Sequence, residues 1–191
     1  MSVRLTGRAE RGALEVGERT YIRRARPGDA GEFTELMRES RELHRPWSFP
    51  PTRKEDFTAL VERARSDDFE LLLLCTRDER RIAGFFNLSQ IFRGPFLNAY
   101  LGYAVGTPFA GEGYMAEGIE LVLRHAFGSL GLHRLEANIQ PGNDRSISLA
   151  KRAGFRLEGF SPRYLKIDGR WRDHERWAIL AEEWASRNGG P

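Results

Sequence analysis

Pro108-Phe109-Ala110-Gly111-Glu112-Gly113-Tyr114-Met115-Ala116-Glu117 is the stretch whose reading decides the fold. Before it, Ala99-Tyr100-Leu101-Gly102-Tyr103-Ala104-Val105 reads as a strand. After it, Met115, Ile119, Val122, Leu123, Ala126, Phe127 and Leu130 keep the helical period until Gly131 stops the helix. The stretch is thus a glycine turn between a strand and a long amphipathic helix. Glycine permits close main-chain approach and a helix start carries partial positive charge, so the amides of such a turn converge on an anion such as a phosphate. The turn lacks the Gly-Lys-Ser/Thr ending of a nucleotide-hydrolysing loop, and Gly111-x-Gly113 does not extend to Gly-x-Gly-x-x-Gly, which counts against nucleotide hydrolysis and hydride transfer. Gly-x-Gly alone also fits a plain tight turn, so the flanking segments must decide.

Upstream, residues 1–19 read as a charged, glycine-rich arm or short hairpin, and the folded domain is expected from Thr20 to residue 186, with a short tail at 187–191. Thr20-Tyr21-Ile22-Arg23-Arg24 is a strand, and Pro27-Gly28-Asp29 opens a helix bearing Phe33, Leu36, Met37, Ser40 and Leu43. Arg45-Pro46-Trp47-Ser48-Phe49-Pro50-Pro51 cannot be regular helix, because its prolines remove donors and restrict their predecessors. Thr52 can cap a further helix carrying Phe57, Leu60, Val61 and Ala64. Phe69 to Cys75 and Ile82 to Ile91 are strands joined at Arg77-Asp78-Glu79-Arg80. Downstream come a strand over Leu135 to Ile139, a helix over Ser146 to Ala153 ended by Gly154, and two strands, Phe155 to Ile167 and Trp171 to Leu180, turning at Asp168-Gly169. The fold class is α/β: a central, mixed, mostly antiparallel twisted sheet flanked by helices.

The 191 residues suit one core. Lys and Arg (30) nearly balance Asp and Glu (27), so the basic pI of about 9.3 reads as mild surface basicity. No zinc pattern or aromatic RNA-binding signature accompanies the arginines, which weakens a nucleic-acid-binding module and specific DNA binding; ribosome contact through Arg23, Arg24, Arg26 or the Arg4, Arg8, Arg11 arm is a better use for them. Cys75, the single cysteine, lies in the apolar run Leu71-Leu72-Leu73-Leu74-Cys75, which excludes an internal disulfide and makes it a core thiol. With His44, His125, His133 and His174 scattered, no metal is expected. No stretch of ~18 apolar residues occurs, so neither a signal peptide nor a membrane span is expected and the cytoplasm is the expected location.

Between Tyr100 and Phe155 the ordered series of strand, glycine turn, amphipathic helix, Leu132-His133-Arg134-Leu135-Glu136-Ala137, Asn143-x-x-Ser146 and Lys151-x-x-Gly154-Phe155 resembles the core of the GNAT superfamily of N-acetyltransferases. Asn87-Leu88-Ser89-Gln90-Ile91-Phe92-Arg93-Gly94-Pro95-Phe96, Tyr100-Leu101-Gly102-Tyr103 and Tyr164-Leu165-x-Ile167-Asp168-Gly169-x-Trp171-x-Asp173-His174 resemble its ribosomal-protein-alanine N-acetyltransferase branch. The likeness spans nearly everything after residue 20. It implies acetyl transfer from acetyl-CoA to the N-terminal amine of a ribosomal protein, alanine first, by direct attack of the uncharged amine. A terminal amine has a pKa of about 7.7 to 8.0, so a modest base suffices. Where the superfamily turn opens with Gln or Arg, this one has Pro108. The resemblance assigns the main chain of Ala104 and Val105 to pantetheine, Phe109, Gly111, Glu112, Gly113, Tyr114, Met115 and Ala116 to the pyrophosphate, and Asn143 and Ser146 to the pantetheine arm.

Glu136, on a strand next to the cleft, is the favoured base, with a structural salt bridge as the competing reading. Many relatives carry a tyrosine after the Asn-x-x-Ser segment; the matching position here is Ala150, which leaves Ser146 as first candidate acid and Tyr164 as second. A first-turn or capping serine and a cross-strand aromatic are the plain alternatives. His44, Trp47 and Tyr103 are the acceptor-side candidates: the proline-tryptophan loop suits a short peptide end, although Trp47 could simply plug the core. Two other readings stay open: acetylation of a small amine, antibiotic or toxin, and CoA binding without catalysis.

Overall fold

The computed structural model describes residues 12–189. Eight strands form one sheet in the order β1-β2-β3-β4-β5-β6-β8-β7: β1 (Ala13–Val16), β2 (Thr20–Arg24), β3 (Phe69–Thr76), β4 (Ile82–Phe92), β5 (Asn98–Val105), β6 (Arg134–Ile139), β7 (Arg156–Ile167) and β8 (Arg170–Leu180). Every neighbouring pair is antiparallel except β5 and β6, which run parallel because the chain between them crosses over through a helix. Six helices accompany the sheet: α1 (Ala30–Glu39), α2 (Arg41–His44), α3 (Lys54–Arg63), α4 (Tyr114–Arg124), α5 (Asp144–Arg152) and α6 (Ala181–Arg187). The mixed, mostly antiparallel sheet flanked by helices is the architecture expected from the sequence.

Both faces of the sheet are covered, which explains why Leu71 to Cys75 in β3 is buried without alternation. On one face Phe33 of α1 packs 4.4 Å from the Phe57 ring of α3 and 5.4 Å from Phe85 of β4, centroid to centroid. On the other lies α4, which buries Met115, Ile119 and Val122. Its approach depends on Gly118: a β-carbon there would stand 2.8 Å from Leu74 Cδ1 and 3.0 Å from Phe86 Cε2, tighter than real contacts allow. Asp168 (φ 47) and Gly169 (φ 74) are both left-handed, the geometry that a two-residue hairpin between β7 and β8 demands.

Several local expectations are corrected. Part of the segment read as an arm is sheet: Ala13–Val16 pairs antiparallel with β2, while Arg4, Arg8 and Arg11 fall outside the described residues, as do 190 and 191 of the tail. Arg53, not Thr52, occupies the N-cap position of α3 without a side-chain capping bond, and its guanidinium pairs with Asp56 in the first turn. The long helix is α-helical only to Arg124 and continues as a π turn over His125–Ser129 before Gly131 (φ 62) ends it. Helix α5 starts at Asp144, two residues early, because Asn143 caps it. Among the described residues no helix is long and apolar enough to cross a membrane, and no metal-capable cluster of His, Cys, Asp or Glu occurs.

Candidate active site

Strands β5 and β6 pair only at Asn98 with Arg134, Ala99 with Leu135 and Tyr100 with Glu136; beyond that rung they diverge. Leu101 to Val105 then keeps only β4 as partner, and Ala137 to Ile139 only β8. The wedge between them opens into a cleft of about 350 Å³, whose wall includes Trp47, Phe49, Tyr103, Asn138, Ser146 and His174. One main-chain edge of each strand is left without a strand partner there, a natural seat for an amide-bearing arm.

At the far end of β5, Thr107–Phe109 forms a short 3-10 turn and the chain enters α4 through Gly111 and Gly113, both at φ 84. Non-glycine residues rarely occupy this left-handed region, so the glycines are what allow the loop to turn its amides toward one point at the α4 N-terminus. The space beside Gly111 is open, with no atom within 4 Å of where a β-carbon would sit. Phe109 and Met115 are buried, with Phe109 edge-on to Tyr114 at 5.5 Å, so they can offer a ligand only main chain. A cation stands close by: Arg19 Nη1 donates to the Glu112 carbonyl at 2.9 Å and its guanidinium lies 4.2 Å over the Tyr114 ring. Glycine loop, helix start and arginine together fit the pyrophosphate of CoA. Arg19 lies 93 residues from Glu112, and no local pattern announces it.

Tyr103 and Ser146 meet in the cleft. Their hydroxyls are 2.7 Å apart, and Asn143 Oδ1 accepts the Ser146 amide at 3.3 Å, so the serine sits in the first turn of a helix capped by asparagine. Burial pushes the Tyr103 phenol up to about 12, which keeps it protonated at neutral pH. Ala150, where the resemblance predicts a tyrosine, is fully buried. Tyr164 stands half-buried on β7 beside Tyr100, whose phenol is also pushed up to about 12 by burial and by the neighbouring Tyr164 hydroxyl.

Two expected residues have other work. Glu136 is buried on the last β5–β6 rung, where its Oε1 accepts from Arg134 Nε at 2.9 Å; Arg134 also grips Glu158, and Glu136 is not in the cleft wall. The carboxylate is held by a guanidinium, the salt-bridge alternative to the base. His44, an acceptor-side candidate, is buried, and its Nε2 donates to the Val105 carbonyl at 2.8 Å. It anchors the end of β5 and takes up one of the main-chain groups expected for pantetheine, leaving the Val105 amide. Burial pulls its imidazole below the ordinary value.

The acceptor-side loop is latched by a residue with no motif to mark it: Gln140 Nε2 donates to the Trp47 carbonyl at 2.8 Å, and Trp47 is half-buried in the cleft wall. His174, buried on β8, is a further wall residue that pattern reading left without a role.

The chain is similar to known proteins. Residues 19–156 match the acetyltransferase (GNAT) domain family. The [ribosomal protein uS5]-alanine N-acetyltransferase of Escherichia coli is 31% identical over 175 residues, covering 87% of this chain and 90% of that protein. Mycobacterium smegmatis RimJ, solved with CoA-disulfide, superposes with a TM-score of 0.80 at 24% identity over 89% of both chains. A spermidine N-acetyltransferase from Vibrio cholerae shares the fold with a TM-score of 0.72 at 19% identity, over 90% of this chain and 99% of that one. A family match across most of the chain, joined to the splayed strands and the glycine turn, places this protein among the GNAT acetyltransferases as an acetyl-CoA-dependent N-acetyltransferase.

Proposed function

We propose that the chain acetylates the N-terminal amine of a ribosomal protein, alanine first, in the cytoplasm, where acetyl-CoA and nascent ribosomal proteins meet. The observation that carries this reading is the chemistry of the cleft wall: among the described residues it contains no Asp, Glu, Lys or Arg. A polyamine calls for carboxylates and a nucleotide-linked toxin for cations. A peptide end asks only for an apolar wall and a few hydrogen-bonding groups, which Trp47, Phe49, Asn87, Asn138 and Gln140 provide. Likeness to the uS5-alanine enzyme over most of the chain supports the same acceptor.

When bound, acetyl-CoA supplies the acetyl group as a thioester. The amides of Gly111 to Ala116 with Arg19 would hold the pyrophosphate, the Val105 amide on the free edge of β5 and the Asn143 side chain would hold the arm, and Trp47 would wall the acceptor. Low polarity around an amine favours its uncharged, nucleophilic form. The Tyr103–Ser146 hydroxyl pair can give a proton to a departing sulfur, with Tyr164 shaping the opposite rim. The exposed Arg24 and Arg26, with the N-terminal arginines, would serve contact with the ribosome, whereas the half-buried Arg23 is paired with Asp29.

The test is release of free thiol from acetyl-CoA with peptides beginning Ala, set beside spermidine and small aromatic amines. Turnover on the Ala peptides, lost in Gly113→Val, is the expected result. Turnover on spermidine with none on peptides would overturn the acceptor; CoA binding with no turnover on any amine would favour a non-catalytic role.

A further inference from the structure

We propose that His174 is the base of this enzyme: its Nε2 takes the proton that the acceptor amine sheds during acetyl transfer. The inference deepens the acetyltransferase reading above and rests on it.

His174 lies on β8 opposite Ser161 of β7 and forms part of the same cleft wall as Tyr103 and Ser146. Its Nδ1 is 3.0 Å from the Arg172 carbonyl. A carbonyl only accepts, so Nδ1 carries the hydrogen and Nε2 the lone pair. Among the described residues Nε2 has no hydrogen-bond partner. The other ionisable wall residue is Tyr103, which stays protonated, and the nearest buried carboxylate, Glu136, is held by Arg134 outside the wall. Among the described residues the cleft wall therefore carries one imidazole nitrogen free to accept a proton and one hydroxyl pair able to donate.

The surroundings leave the ring neutral. Tyr164 approaches from β7 with ring centroids 6.1 Å apart. On β8 itself the neighbours are Arg172 and Asp173, and Asp173 Oδ1 accepts from the Arg163 amide at 2.7 Å. On the β6 side the wall offers the uncharged Asn138 and Gln140, and from the loop Trp47 and Phe49. Burial outweighs the Arg172 carbonyl and the Asp173 charge and lowers the imidazole below its ordinary value of 6.5. In the step itself the amine nitrogen bonds to the acetyl carbon and the carbon–sulfur bond breaks with its electron pair leaving on sulfur. Nε2 takes one proton from nitrogen, and the Tyr103–Ser146 pair supplies one to sulfur.

Nitrogen-15 spectra of histidine-labelled protein without ligand test the tautomer directly. His44 meets its carbonyl acceptor through Nε2 and His174 through Nδ1, so one imidazole should appear as the Nδ1–H form at pH 7 and stay neutral to below pH 6.5. In thiol-release assays His174→Gln should lower kcat on the order of 10²-fold with unchanged CoA affinity, and imidazole buffer should partly rescue His174→Ala. The exposed His133→Gln should keep the wild-type rate. A charged or Nε2–H His174 at pH 7, or a His174→Gln rate within about twofold of wild type, would overturn the proposal. If the variant does not fold, the wild-type spectrum decides. Turnover on a different amine would displace the peptide acceptor, and the same variants would then judge His174 on that amine.

Discussion

The Tyr103 hydroxyl lies 2.7 Å from that of Ser146, a bond that ties β5 to the first turn of α5 across the wedge where β5 and β6 part. Ala150, one turn further along α5, is fully buried, so the phenol beside this serine comes from the strand. Because either hydroxyl can hand on a proton, Tyr103→Phe and Ser146→Ala should each lower kcat about tenfold, and the double variant on the order of 10²-fold. Steady-state thiol release measures this. A double variant at the wild-type rate would remove the pair from the chemistry.

Gly113 caps α4 at φ 84 beside Arg19. Valine there is strained by roughly 1–3 kcal/mol, which turns the loop amides away from their common point. CoA affinity in Gly113→Val should fall by roughly five- to 150-fold by calorimetry, the change that strain of this size corresponds to. Gly31→Ala, in open space on α1, should leave CoA affinity as it was.

Gln140 holds the proline-tryptophan loop by one bond to the Trp47 carbonyl. Gln140→Ala should loosen the acceptor wall and raise KM for the peptide by roughly the fivefold that a lost hydrogen bond of about 1 kcal/mol allows, with KM for acetyl-CoA unchanged. Trp47→Ala should raise it further. Equal effects on both substrates would place the loop on the CoA side.

His44 and His174 are both held below the ordinary imidazole value of 6.5 by burial. The unfolded chain therefore binds these protons first as pH falls: their stabilising contribution is complete above about pH 6.5 and is lost below it. Thermal unfolding should show a lower midpoint at pH 5.5 than at pH 7.5. His44→Gln, which keeps a donor for the Val105 carbonyl without a titrating ring, should shrink that difference.

Elements set by local periodicity were legible: the strand into the glycine turn, the α4 stripe and the Asp168-Gly169 hairpin follow from spacing alone. The π turn at His125 was not, since it preserves an apolar pattern while changing the hydrogen-bond ladder. Glu136 shows a signal that was present and underweighted. Residues two apart on a strand share a face, so Arg134-x-Glu136 already placed a guanidinium beside the carboxylate. Arg19 and Gln140 carry no local signal, and His174 stands in a motif that assigns it no role, because each meets its partner or wall only through the fold; nothing local says that the helix-end His44 is buried under the end of a neighbouring strand.

The divergence of β5 and β6 after three rungs divides the molecule's evolutionary freedom. A donor gripped through main-chain amides is recognised by shape, and most side chains along that grip can drift without consequence provided the glycines remain. In the proposed function the client would meet the side chains of one short loop, held from across the cleft by the Gln140 hydrogen bond. Replacing a few residues between 45 and 51 would re-address the enzyme to a new client and leave its engine untouched.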